Sequence, residues 1–176
     1  MKRTLSFLSS AVLALSVMGA QAASLKMAYD ADPVSLDPYE QLSGGTIQLS
    51  HMTYDPLVRW TQDLEFEPRL AEKWERIDEN TMRFHLRKGV KFHSGNDFTA
   101  KDVVFTFKRL QESPDFKGIF SPFKEAVMID DYTVDMVTKA PFPLMLNNMT
   151  YIFPMDSEFF SGTDENGNPK DAMVKH

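Results

Sequence analysis

The chain has 176 residues, with 25 acidic against 19 basic side chains, a net charge of −6 and no cysteine. The acidic balance argues against nucleic acid and anionic membrane as partners, since both select basic surfaces. The absence of cysteine excludes a disulfide, a thiolate nucleophile, a thiolate metal site and a lipid carried on a cysteine.

Met1 to Ala22 reads as a secretory leader. Lys2 and Arg3 form a basic start, Leu5 to Ala20 is a short apolar run interrupted by serines, and Ala20-Gln21-Ala22 is a cleavage site of the A-x-A kind. Cleavage after Ala22 removes Lys2 and Arg3 and leaves 17 basic against 25 acidic residues, a net −8. The run is too short and too broken for a membrane span.

Ser24–Tyr29 is a short first strand. The loop that follows carries Asp32-Pro33 and Leu36-Asp37-Pro38-Tyr39, and each residue before a proline is held extended. Helical spacing begins near Thr46, with Ile47, Leu49 and Met52 apolar. Two readings of the segment from Tyr39 to Gly45 stand side by side. Its glycines can simply solve a tight turn between strand and helix. Alternatively it faces a ligand, because binding residues gather on loops at strand ends. Tyr54 to Leu57 ends the helix, Val58–Thr61 is a strand and Gln62 to Glu65 a turn. Trp60 and Trp74 lie on patterned elements and are expected to pack.

In Thr81–Arg87 the apolar Met82, Phe84 and Leu86 alternate with Thr81, Arg83, His85 and Arg87, the period of a half-buried strand. Lys88-Gly89 breaks it, Val90 to Phe92 resumes an extended path, and Ser94 to Asp97 is a turn cluster. Thr99 then caps a helix with Asp102 at its third position. Val103, Phe107 and Leu110 form that helix's apolar stripe, with Lys101, Lys108, Arg109 and Glu112 expected to face out. Ser113-Pro114-Asp115 stops it. Phe116, Phe120 and Phe123 follow in a phenylalanine-rich loop that covers a core. Glu125–Ile129 and Thr133–Lys139 make a hairpin over Asp130-Asp131, and Pro141 to Pro143 opens a short helix, Leu144–Met149. Asp164, Asn166 and Asn168 alternate as in a calcium loop, but Gly167 is misplaced and no glutamate follows at the required distance.

No catalytic constellation assembles. His51, His85, His93 and His176 are scattered, without a metal-ligand pair or a triad partner, and no phosphate or dinucleotide loop is present. His85, between Arg83 and Arg87, is a poor place for a cation. The chain is therefore read as a non-enzyme that needs no cofactor and no metal.

One ordered run is distinctive: Ala71, Asp78, Thr81, Met82, Phe84, Leu86, Arg87, Lys88, Gly89, Val90 and Phe92, followed by FTAKDVVFTFKRL and preceded by YDPLVRW. It resembles the family 5 extracellular solute-binding proteins, which deliver peptides, nickel or oligosaccharides to ABC importers. The resemblance implies an α/β, periplasmic-binding-protein-like fold of two lobes, α+β in its accessory subdomain, of which this chain is an N-terminal fragment. Residues 1–22 would then be the signal peptide and 23–50 the first strand and cleft loop of lobe I. Residues 51–160 would be the β-rich accessory subdomain and 161–176 a loop and truncated end.

The resemblance also implies that the loop at Tyr39, Gln41, Leu42, Ser43, Gly44 and Gly45 lines a solute cleft. Lys117–Ser121, with Ile119 and Phe120, and the segment of Asn147, Asn148, Thr150 and Tyr151 are implied to approach the same cleft. The expected solute is a di- or oligopeptide, with a nickel complex or an oligosaccharide as alternatives. The expected partners are the membrane permease of an ABC importer and, through it, its ATPase, served by a periplasmic monomer without a lipid anchor. The rival reading is a non-transporting fragment, chaperone or sensor built on the same fold.

Overall fold

The polar and apolar alternation of one strand and the capping residues of one helix set the frame. The computed structural model describes residues 32, 33, 35–167 and 170. The leader, the cleavage site, the strand at Ser24–Tyr29 and the end from 171 to 176 lie outside the described residues.

Helix α1 spans Gly44–Thr53. Strands β1 (Val58–Trp60) and β2 (Phe66–Pro68) form a two-stranded antiparallel sheet. Next come β3 (Ala71–Arg76), β4 (Thr81–Leu86) and helix α2 (Ala100–Glu112). The hairpin β5 (Phe123–Asp130) and β6 (Thr133–Thr138) is followed by the short helices α3 (Met145–Met149) and α4 (Ser157–Phe160). The four longer strands make one antiparallel sheet in the order β3-β4-β6-β5.

Period two in β4 does what it requires: Met82, Phe84 and Leu86 are buried while Thr81, Arg83 and His85 stay half-buried. Phe84 pairs across the sheet with Trp74 on one side and Val134 on the other. Helix α2 packs on β5 and β6 with Val103, Phe107 and Leu110 buried. The Phe107 ring meets Phe120 and Phe123 edge-on, each at 6.0 Å between centroids. That is the preferred arrangement for rings whose faces are electron-rich and whose edges are not. Phe116, Phe120 and Phe123 are all in the core.

The start of α2 is built by a capping box. The Thr99 N–H donates to Asp102 Oδ2 at 2.8 Å, and the other carboxylate oxygen of Asp102 accepts the N–H and hydroxyl of Ser157 at 2.8 and 2.7 Å. One buried carboxylate thus caps α2 and ties α4 to it. The turns on either side of Val90 to Phe92 use Gly89 and Gly95 at φ +74° and +95°, where a Cβ would be strained.

Five features differ from the reading of the sequence. Arg109 does not face out: its side chain is 5 % exposed and bonded to Asp37, seventy-two residues earlier. The buried positions of α1 are Thr46 and Ser50, small polar residues bonded within the helix and its cap, while Met52 is exposed. Ala71–Arg76 is an edge strand, hidden in the sequence because its outer residues are charged. His85 has a carboxylate opposite, Glu75 Oε1 at 3.0 Å, because β3 lies beside β4. Trp74 packs against the core, whereas Trp60 is 39 % exposed and stacks on Phe66 at 3.9 Å.

Candidate functional site

The loop before α1 is fixed at two points by buried polar contacts. Asp37 accepts the Tyr39 N–H at 2.9 Å, an Asx turn that shapes the chain after Pro38. Its second oxygen takes both terminal nitrogens of Arg109 at 3.0 Å each. The Tyr39 hydroxyl donates to the Phe153 carbonyl and accepts the Phe153 N–H, both at 2.6 Å. Burial pushes the Tyr39 phenol well above its ordinary range, so it stays neutral and keeps both bonds. From the other side the Ser113 hydroxyl donates to the Tyr39 carbonyl at 2.9 Å, and Phe116 meets the Tyr39 ring edge-on at 5.7 Å.

Beyond Tyr39 the loop rises to the surface. Leu42 is exposed, and its N–H donates to Asp115 Oδ2 at 2.9 Å. Ser43 caps α1, accepting the Thr46 N–H, and the Thr46 hydroxyl donates to Gln41 Oε1 at 2.9 Å. A side chain added at Gly44 would meet nothing within 4 Å. The segment after α2 joins the third expected segment through Asn148, whose amide donates to the Ile119 carbonyl at 2.8 Å.

Two of the three segments singled out in the sequence bond directly, through Ile119 and Asn148, and the loop from Tyr39 bonds to residues flanking them, before the second and after the third. Residues 39–42 contact 113–116, Ile119 contacts Asn148, and Tyr39 contacts Phe153. Their side chains divide sharply by exposure. Tyr39, Phe120, Asn148 and Thr150 are buried, and Gln41, Ser43, Gly45, Ile119 and Tyr151 are half-buried. Leu42 and Gly44 are exposed. The first group supports the rim from behind; the last two groups form its surface. Asp37, Arg109, Ser113 and Asp115 also build the rim. The sequence signals for them were slight, a helix-stop tripeptide and an aspartate before a proline.

A concavity lies beside the rim and shares only Asp37 with it. It is an apolar groove of about 630 Å³ between Leu36, Tyr54, Phe92, Phe153 and Phe160. The two carboxylates on its border are already engaged, Asp37 by Arg109 and Asp156 by Ser94 and Asn96. Burial alone would raise the Asp156 carboxyl, but donors from Ser94, the Phe159 N–H and Asn96 outweigh it and hold it below the usual carboxylate range. The groove therefore offers a solute apolar contact and little polar recognition, and the rim is the stronger candidate. His51, half-buried edge-on against Phe153 at 4.9 Å, is held below the ordinary histidine range by burial and by the charge of Arg59. Among the described residues no three His, Asp or Glu side chains are placed to hold a metal ion. No helix among them is long and apolar enough to cross a membrane.

Comparison with known proteins places this geometry in context. The family described as bacterial extracellular solute-binding proteins, family 5 Middle, matches residues 65–174. The dipeptide-binding protein of Escherichia coli is 31 % identical over 85 % of this chain and 33 % of its own length. The haem-binding protein A of Haemophilus influenzae is 31 % identical over 78 % of this chain and 30 % of its own length. Among solved structures, the periplasmic binding protein DppA of Helicobacter pylori, in complex with the peptide STSA, superposes with a TM-score of 0.63 at 29 % identity. That match covers 73 % of this chain and 30 % of the other. The chain thus spans about a third of the length of these relatives.

Proposed function

This chain belongs to the bacterial extracellular solute-binding proteins of family 5, and from that premise we propose that the whole protein captures di- or oligopeptides in the periplasm and hands them to an ABC permease. In this reading the leader is cleaved after Ala22, and the exported protein works as a monomer without a lipid anchor. The observation that carries the proposal is the gathering of three loop segments at one rim, Ile119 bonded to Asn148 and Leu42 to Asp115 just before the second segment, in a chain related to dipeptide-binding proteins.

The mechanism proposed is closure of a second lobe over this rim, with solute held by burial and by hydrogen bonds to loop backbone. Leu42, Gly44, Gln41, Ser43, Gly45, Ile119 and Tyr151 are the contact residues proposed from this chain. Tyr39, Phe120, Asn148 and Thr150 act behind them as supports. No step requires a covalent intermediate. The division into a cleft loop up to residue 50 and an accessory subdomain from 51 to 160 is part of the same proposal, with α1 bridging the two.

The test is mass spectrometry of solute that co-purifies with the whole protein, followed by calorimetric titration of the emptied protein with Ala-Ala-Ala. Saturable binding of the tripeptide at one site is the expected outcome. A co-purified sugar, nickel complex or porphyrin, with no response to peptide, would overturn the peptide assignment. A haem-binding relative of equal identity makes the porphyrin arm necessary.

A further inference from the structure

We propose that Asp115 is a specificity-determining residue, whose carboxylate favours solutes that bring an ammonium group to the rim beside Leu42. The inference rests on the solute-binding reading above and adds to it the charge of the solute.

Three observations carry it. Asp115 is exposed at the foot of α2, yet one of its oxygens is fixed, accepting the Leu42 N–H at 2.9 Å. This bond ties the Leu42 loop to the turn after α2, two residues before the Lys117–Ser121 segment, and holds the carboxylate at the surface. An ionised carboxylate has about four acceptor positions, and a single neutral donor leaves the charge and most of those positions available. Next, no lysine, arginine or histidine among the described residues forms an ion pair with it. Most other aspartates of the rim and its surroundings are committed: Asp37 to Arg109, Asp102 to Ser157, Asp135 to Arg83, Asp156 to Ser94.

The third observation is space. A Cβ built on Gly44, two residues after Leu42, or on Gly118, three after Asp115, meets no atom within 4 Å. The rim is open on both sides of the Leu42–Asp115 bond. Because the Leu42 amide is spent on Asp115, this point presents negative charge and acceptor oxygen to an entering solute. An ammonium, with three donors and no acceptor, is its complement, and a charge-assisted hydrogen bond is stronger than a neutral one. A carboxylate arriving here would meet like charge, which discriminates against acidic solutes. The ammonium can come from the amino terminus of a peptide or from a lysine side chain.

The experiment compares wild type, Asp115→Asn and Asp115→Glu in the whole protein by calorimetric titration with Ala-Lys-Ala, Ala-Ala-Ala and N-acetyl-Ala-Ala-Ala. Asparagine retains an acceptor for the Leu42 N–H and removes only the charge. If the side-chain ammonium is read, Asp115→Asn weakens Ala-Lys-Ala by about ten-fold and leaves the other two within about two-fold. If the terminal ammonium is read, both free-amine peptides weaken and the acetylated one does not. In either case Asp115→Glu restores part of the loss, which a purely structural role of the Leu42 bond would not produce in a charge-selective way. Equal weakening of all three peptides, or of none, overturns the inference while the solute-binding reading stands. Failure of wild type to bind any of the three overturns both.

Discussion

Around Phe84 and Phe107 the molecule is held by apolar burial, with a sheet face and a helix stripe pressed together and Phe84, Phe107, Phe120, Phe123 and Leu110 out of water. Around Asp37 and Leu42 it is held by a short series of directional polar contacts: Asp37 with Arg109, Tyr39 with Phe153, Ser113 with Tyr39, Asp115 with Leu42. The two regions meet at α2, which presents Val103, Phe107 and Leu110 to the sheet and Arg109 to the loop. The first arrangement resists deformation because close-packed side chains have no alternative partners. The second fixes positions rather than mass, and a change of one atom type can move a loop without unfolding the domain. Damage to the scaffold should therefore appear as lost stability, and damage at the surface of the rim as altered recognition.

The sharpest test of that contrast is Phe84→Ala. The side chain is fully buried between Trp74 and Val134, so its loss should cost about 3–5 kcal/mol in a urea titration of the whole protein. Solute affinity measured on the fraction that remains folded should be unchanged. A loss of less than about 1 kcal/mol would mean that the sheet face is not the core described here.

Arg109→Met comes next and blurs the boundary between the regions. It leaves the Asp37 carboxylate, 20 % exposed, without its charge partner, and should cost about 3 kcal/mol. Unlike Phe84→Ala it should also weaken solute binding among folded molecules, because Asp37 shapes the turn into Tyr39. If Arg109→Met lowers stability but leaves affinity intact, the rim does not depend on this ion pair.

Much of the scaffold was legible in the sequence, and the reason is local. Alternation in Thr81–Leu86, the Thr99–Asp102 cap and the Asp130-Asp131 turn from β5 to β6 are all decided by residues within a few positions of one another. What escaped was decided by distant partners. Arg109 reads as a solvent-facing charge until Asp37 is brought beside it, and His85 reads as isolated from acid until Glu75 lies on the neighbouring strand. The rim was legible as three separate segments through family likeness. The bonds that gather them, Leu42 to Asp115 beside the second segment and Asn148 to Ile119 within it, connect residues 73 and 29 positions apart and leave no periodic trace.

The smallest expected effect is on pH. The folded protein holds His51 below its ordinary range, through burial and then Arg59, so the unfolded chain takes up a proton first as pH falls. His51 then contributes nothing above the unfolded value of about 6.5, and stability declines as pH drops below it until the folded state is protonated too. In urea midpoints between pH 7.5 and 5, His51→Gln should remove a small part of that decline. An unchanged slope would show that the ring protonates without cost against Phe153.

The strand order β3-β4-β6-β5 also governs the time course of folding. Two of its three pairings, β3 with β4 and β5 with β6, join neighbours in the chain and can close within microseconds as hairpins. The remaining pairing, β4 with β6, sets Met82 against Met136 and Phe84 against Val134 across some fifty residues that include the whole of α2. That long loop must be closed before the seam is rewarded, so joining the hairpins is expected to limit the rate. Trimming Val134 should chiefly slow refolding, whereas trimming Met128 at the outer edge should chiefly hasten unfolding.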